Sequence, residues 1–440
     1  MARMDGNGGP GWVAVLRVPL WRAYALGHYC KSLIWYSSEL LFAYFLTEAC
    51  GLAPRAMGGV LAFSLVVNGA TDLVIGHALR IRAATVPAAA SLHFRGSVLA
   101  GAALLLFLST GLIPPGWRLA YALGTGLLFR LAYALYDVPQ NAVLGMVAGD
   151  GLRTRLSALR FVGAGLATLT IAGMAPVFLG GDMADQAVAF WVFALVLWGL
   201  GVISAAGFRR VARAGGNGAV AGIPSAFEKG AAPVWPMRFP VGLATVLVAE
   251  FVLSGSASVF TRLEPYFAAS VLQSPMARGT VMVTVAIGGL AGQAVWAVVA
   301  ERRGPAVAFR GAAAVAMAGG LAFLLLGDRG AAWIAMAGGF LGAGLGGVSM
   351  LLWAAAGACV GTTGVSGHRW APTQVFGLLT FCIKVACAVA VLVVGEVLAW
   401  REGAPGGMVV PPVALIAPMT LLPALGATVC LALASRLRLS

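Results

Sequence analysis

Along most of the chain, apolar residues run for long stretches before a short polar break interrupts them. A helix needs about 20 mostly apolar residues to cross the hydrocarbon of a bilayer. Reading for such runs predicts twelve spans, the first six at 23–47, 57–79, 95–113, 118–147, 156–180 and 187–208. The second six fall at 240–268, 279–300, 306–326, 331–357, 372–399 and 411–435. The fourth, seventh and eleventh are long enough to tilt or to project beyond the bilayer. Between the sixth and seventh lies an extended polar segment, Phe208 to Pro240. Its Arg209, Arg210, Arg213, Gly215–Gly218, Lys229, Arg238 and three prolines at 224, 233 and 236 have a linker composition. The expected fold is therefore an all-α membrane protein of twelve transmembrane helices. They form two six-helix bundles, 1–208 and 240–440, joined by a linker over 209–239.

Composition agrees with that pattern. Of 440 residues, 60% are hydrophobic and only 10% charged, and the mean hydropathy is +0.92. A chain dissolved in water needs far more polar surface. The 60 glycines fit membrane helices, whose backbones approach closely through small residues. Cys30, Cys50, Cys359, Cys382, Cys387 and Cys430 lie in or beside apolar runs without CxxC spacing, and read as small core residues. The polar, glycine-rich Met1 to Gly11 lacks the features of a cleaved signal peptide.

The net charge of +14 does not imply nucleic acid, because the basic residues fall on alternate loops. One side carries Arg3, Arg17, Arg80, Arg82, Arg95, Arg153, Arg155, the linker, Arg302, Arg303, Arg310, Arg369, Arg436 and Arg438. The other carries Arg55, Arg118, Arg278, Arg329 and Arg401, with Asp182, Asp185, Asp328 and Glu402 among them. By the positive-inside rule both termini and the linker are expected in the cytoplasm, with the protein in the cell (inner) membrane. A faint internal echo, Gly76 to Arg82 against Gly292 to Gly304, suggests duplicated halves with a site between them.

Ionisable residues inside the apolar runs carry the chemistry. Lys31 and Glu39 fall in span one, Asp72 in span two, Arg130 and Asp137 in span four. Arg160 is in span five, Glu250 in span seven and Lys384 in span eleven. Facing lipid alone, they would cost on the order of 20 kcal/mol together. They are expected to meet in a shared, wet interior. Arg130 and Asp137 stand two turns apart on one face of a helix. A buried carboxylate near a cation can exchange a proton or hold Na⁺ with oxygen ligands. There is no GxxxxGK[ST] run to power a pump and no filter-like loop to make a channel. The four histidines (His28, His77, His93 and His368) are scattered, and no nucleophile–base or HExxH pattern suggests an enzyme or a metal site.

Several of these residues stand in a recognisable order. Tyr136-Asp137-Val138-Pro139, followed by Arg153-Thr154-Arg155-Leu156-Ser157 and Arg160-Phe161, resembles the span-four to span-five segment of the glycoside–pentoside–hexuronide:cation symporters. That family belongs to the major facilitator superfamily and includes the melibiose permease. Tyr24 to Gly27, Lys31, Tyr44, Thr47 and Gly51-Leu52 in span one are similar too. So are Thr71-Asp72 to Gly76 in span two, and Gly377, Lys384 and Gly395 in span eleven. The resemblance implies cation-coupled transport of a small organic solute, such as a sugar or glycoside, by alternating access. Asp72, Asp137 and Asn68 would then bind the cation. Asp137, Arg160, Lys31, Ser32 and Lys384 would surround the solute; Arg130, Glu39 and Glu250, read from their places in the apolar runs alone, are expected to complete a charge network. No cofactor is expected beyond the coupling ion, H⁺ or Na⁺. The expected partners are the solute and the bilayer, for a monomeric carrier.

The departures from that pattern bear on ion and solute. Asn68 stands where the family often has a second acid, and Ser32 where a sugar-binding acid follows the lysine. The acidic stretch that leads into span eleven is replaced by Cys359 to Gly364. Fewer carboxylates favour H⁺ over Na⁺, a hard cation that prefers charged oxygens. A lysolipid or other amphipathic solute, or a carrier fold retained as a sensor or assembly factor, are the alternatives.

Overall fold

The structure, a computed structural model, describes residues 17–78, 85–143, 150–179, 182–214, 241–272, 279–327, 329–359, 372–402 and 413–435. Among them stand twelve helices of 21 residues or more and no strand. The first six are α1 (Pro19–Leu40), α2 (Pro54–Ala78), α3 (Val86–Leu108), α4 (Arg118–Val143), α5 (Asp150–Met174) and α6 (Met183–Ala214). The second six are α7 (Val241–Val271), α8 (Thr280–Arg303), α9 (Pro305–Leu326), α10 (Ala331–Ala358), α11 (Pro372–Glu402) and α12 (Val413–Leu433).

Ten of these are apolar enough over a membrane-spanning length by composition. The exceptions are α1 and α5. Lys31, Ser32, Ser37, Ser38 and Glu39 interrupt α1, and only Val162–Val177 of the fifth segment is strongly apolar, after Arg160. Both helices are needed inside the bundle, where their polar residues have partners.

Helix ends depart from the expected spans because hydropathy marks the hydrocarbon and not the helix. α3 begins at Val86, where Thr85 accepts the Ala88 N–H and a proline sits in the first turn. Arg95 is therefore on a helix, not a loop. α6 likewise continues to Ala214, so Arg209, Arg210 and Arg213 sit on its last turns. The expected linker from 215 to 239, Met1 to Gly11, Arg80, Arg82, Val360 to Gly364 and Arg369 lie outside the described residues.

The pairing of helices repeats. α3 packs on α4 and α6 as α9 packs on α10 and α12; α2 meets α4 as α8 meets α10; α1 meets α5 and α6 as α7 meets α11 and α12. Contacts between the two sets run through α2–α11, α5–α8 and α1–α7. Adding six to each helix number maps the first of these onto the second and the third onto itself. Small residues allow the tightest pairings. A Cβ on Gly342 of α10 would strike the Val285 carbonyl of α8, and one on Gly292 of α8 the Ala343 carbonyl of α10. Large apolar side chains face outward, including Leu99, Ile203, Leu325 and Phe340. Such a surface suits a bilayer.

Candidate functional site

The interior carries what the outside lacks. Lys31, Asp72, Arg130, Glu250, Arg262, Glu264 and Lys384 are all buried. Three of them, Lys31, Asp72 and Lys384, form two cation–carboxylate pairs with Asp137 near the middle of the bundle. Lys31 Nζ of α1 lies 2.5 Å from Asp137 Oδ1 of α4. Lys384 Nζ of α11 is ion-paired with Asp72 Oδ2 of α2. The pairs are not independent, since Lys384 acts electrostatically on Asp137 and Lys31 on Asp72. Trp35 of α1 joins them, its ring centroid 5.5 Å from Lys384 Nζ and 5.7 Å from Arg130 Cζ.

Local structure sets these positions. Pro139 lies inside α4 and cannot donate to the carbonyl one turn back. At that level Gly96 lets α3 come close, for a Cβ there would overlap the Leu135 carbonyl. His93 of α3 donates through Nδ1 to the Tyr136 carbonyl oxygen at 2.7 Å and stacks on the Tyr136 ring. The turn that bears Asp137 is therefore held by α3. Asn141, one turn further on, accepts from both Lys31 Nζ (3.0 Å) and Arg160 Nη2 (2.8 Å) through the same oxygen. Asp137 keeps 21% of its side-chain surface accessible against 3% for Lys31, so the carboxylate is the member of this pair that a solute can reach. Ser32 is buried on α1 beside Lys31.

On α2, Asn68 and Asp72 share one face a turn apart. Asn68 donates through Nδ2 to the Arg130 carbonyl at 3.1 Å. Its Oδ1 and Asp72 Oδ1 are both buried without a hydrogen-bond partner among the described residues. Two acceptor oxygens thus stand free on adjacent turns of one helix. Unsatisfied buried acceptors carry a full desolvation penalty, which a bound proton or cation can relieve.

A second layer lies toward the α1–α2 loop. Arg262 of α7 pairs with Glu39 of α1 at 2.9 Å and also donates to Ser258 Oγ. Arg130 donates to Ser38 Oγ at 2.7 Å, and Thr47 and Tyr266 share a hydroxyl–hydroxyl hydrogen bond of 2.7 Å. Thr47 sits in a π-helical turn, Phe45–Ala49, that follows the break of α1 at Leu41. At the rim, Arg55 of α2 grips Glu396 of α11 through two guanidinium nitrogens.

Some expectations need correction. Arg130 and Asp137 both face α1, as their spacing predicts, but take separate partners there, Ser38 and Trp35 for one and Lys31 for the other. Asp137 pairs with Lys31, while Arg160 donates to Asn141 and acts on Asp137 through its charge. Glu250, expected in the charge network, accepts from Ser254 on its own helix at 2.8 Å, away from Arg130 and Glu39. Arg262, Glu264 and Asn141 were missed, although all three fall inside predicted spans and their polarity was the available signal. Glu264 is buried beside the Met282 backbone, at the start of α8. The side chains of His77, Arg153 and Arg155 lie outside the described residues.

The profile described as MFS/sugar transport protein matches residues 23–440. The chain belongs to that family. Its family is one of membrane transporters, in line with the resemblance to glycoside and cation symporters read from its spans. Over 161 residues the chain is 30% identical to a protein of Escherichia coli (strain K12) named "Putative glycoside/cation symporter YagG". That match takes in 34% of this chain and 33% of the relative, so the chain spans about a third of the curated relative's length in the match. Solved structures agree on the fold. A peptide transporter POT superposes with a TM-score of 0.65 at 14% identity, over 99% of this chain and 96% of its own. A bacterial homologue of the iron transporter ferroportin, in an inward-facing state, gives 0.60 at 12% identity, over 96% and 100%.

Proposed function

We propose that this MFS transporter is a cation-coupled symporter of a small organic solute, such as a sugar or glycoside. It works by alternating access between two six-helix halves, α1–α6 and α7–α12, joined by a cytoplasmic linker over residues 215–239. The observation that carries this reading is the Asp72–Lys384 pair. It ties α2 of one half to α11 of the other, and the Asp72 oxygen that Lys384 leaves free is buried and unsatisfied. A cation arriving there competes with the Lys384 ammonium and loosens a bond between the halves. Binding and rocking are thereby linked.

Asp137, with Lys31, borders the solute position, and Arg160 and Ser32 stand near it. A hydroxyl-rich solute would accept from the remaining donors of Lys31 and Arg160 and donate to Asp137, while Asn141 holds both cations in place. H⁺ is the favoured coupling ion. Asn68 supplies a neutral oxygen where a second carboxylate would strengthen an Na⁺ site. The distribution of arginines supports cytoplasmic termini in the inner membrane, and nothing in the mechanism needs more than a monomer.

The test uses the purified protein in proteoliposomes, with a solute first selected by thermal-shift screening of sugars, glycosides and organic acids. An imposed H⁺ gradient should drive accumulation, and Asp72→Asn should abolish that while retaining solute counterflow. Asp137→Asn should lose both. Undiminished gradient-driven uptake by either variant would sink the reading. Accumulation driven by Na⁺ and indifferent to H⁺ would overturn the choice of ion alone.

A further inference from the structure

Far from the central pairs, a groove of about 500 Å³ opens on the outer surface between α3 and α6. It is lined by Phe94 of α3 and by Ala206, Arg209, Arg210, Arg213 and Ala214 of α6. Three guanidinium groups within about one helical turn face it, and no carboxylate lines it. None of the three has an ion-pair partner among the described residues. Arg209 Cζ sits 4.9 Å over the Phe94 ring, and Arg213 donates to Ser91 Oγ at 3.3 Å. Both are thereby held by α3, which leaves their remaining donors for a ligand. Arg210 is exposed, and Arg95, next to Phe94, adds a further exposed charge at the rim.

The groove's depth in the membrane identifies the ligand. α6 has 32 residues, longer than about 30 Å of hydrocarbon requires at 1.5 Å per residue. Its terminal arginines therefore fall at headgroup level. Two turns deeper than Arg210 on the same face, Ile203 is exposed on the outer surface. An anion here would meet guanidiniums at its head and an apolar surface below.

We infer that this groove is a binding site for an anionic phospholipid. Its phosphate is gripped by Arg209, Arg210 and Arg213, and an acyl chain lies along the α3–α6 surface past Ile203. Guanidinium forks match phosphate oxygens in geometry as well as in charge. Free phosphate would use the arginines and leave the apolar wall unused, so the lipid is the occupant.

The test compares the full-length protein in nanodiscs of phosphatidylcholine alone and of phosphatidylcholine with phosphatidylglycerol. Bound phosphatidylglycerol is read by native mass spectrometry and by the rise in thermal midpoint. The parent protein should retain the anionic lipid and gain stability from it. Arg209→Gln/Arg210→Gln should lose the gain, with lipid affinity falling roughly fivefold for each charge removed. Arg302→Gln/Arg303→Gln removes the same charge at the same end of the bundle, outside the groove, and should keep the gain. Equal losses in both variants, or none in the groove variant, would overturn the site. A gain reproduced by inorganic phosphate in phosphatidylcholine discs would overturn the lipid. Should the double variant fail to fold in phosphatidylcholine, Arg210→Gln, which breaks no contact with described residues, is read in the same way.

Discussion

Asp72→Asn separates a structural bridge from a coupling device. The substitution leaves the Lys384 ammonium, 5% exposed, without its carboxylate. Removing one member of a buried pair costs about 3–5 kcal/mol, because the remaining charge is desolvated and uncompensated. Asp137 acts on Lys384 electrostatically and offsets part of this, so the lower end of the range is expected. Lys384→Gln should cost a similar amount by exposing Asp72 to the same penalty. With both changes, two neutral polar groups face each other, and the double variant should recover most of the loss. That recovery corresponds to a favourable interaction of about 4–5 kcal/mol in the cycle, within the range measured for close charge pairs. Unfolding of the purified protein in detergent measures this energy, and uptake into proteoliposomes measures coupling. The two readouts must diverge: stability returns in the double variant, and gradient-driven accumulation does not. A double variant that is stable and accumulates solute like the parent would reduce the pair to a bridge. Asp72→Asn unfolding at the parent's temperature would deny the pair itself.

Other contacts make narrower claims. Glu39→Gln strands Arg262, which is 1% exposed, and should lower stability by about 3–5 kcal/mol in the same unfolding assay. Arg55→Gln, whose partner Glu396 is 63% exposed, should barely move the midpoint, since water and salt screen such pairs. Gly96→Ala forces α3 away from the Leu135 carbonyl, at a cost of about 1–3 kcal/mol with weaker solute binding. Gly59→Ala meets open space and should be neutral or slightly stabilising by comparison. Asn141→Ala removes the acceptor shared by Lys31 and Arg160. Hydrogen bonds to charged groups are worth about 1.5–3 kcal/mol, so KM should rise roughly tenfold or more while H⁺ dependence persists. An unchanged KM would detach Asn141 from the solute.

The fold was legible because its cause is one-dimensional. A lipid-facing helix must be apolar over the bilayer's thickness, and that constraint is written as run length without reference to other helices. Twelve runs became twelve helices. The ends were less legible, since helices continue past the hydrocarbon. Nothing in hydropathy distinguishes a helical Arg209 from one in a linker. First-turn prolines, such as Pro19, Pro54 and the one after Thr85, marked starts that composition had blurred.

The site was half legible for a related reason. A charge inside an apolar run must find a partner, so its presence predicts burial but not which partner it takes. Arg130 and Asp137 share a face by spacing, and both meet α1 there, yet spacing could not say which residue of α1 each would take. Arg130 has Ser38 and the Trp35 ring, and Asp137 has Lys31. Arg262 escaped because Glu39 looked solitary within its own helix, and its partner lies on α7 in the other half of the chain. The same physics that hides such pairings from sequence makes them suited to transport. A bond between α1 and α7, or between α2 and α11, joins surfaces that must slide past one another. Its strength is therefore a barrier to motion, and in an apolar interior only a competing ion can lower that barrier cheaply. Charges confined to one half, such as Glu250 with Ser254, have no such leverage, so Glu250→Gln should leave ion coupling intact.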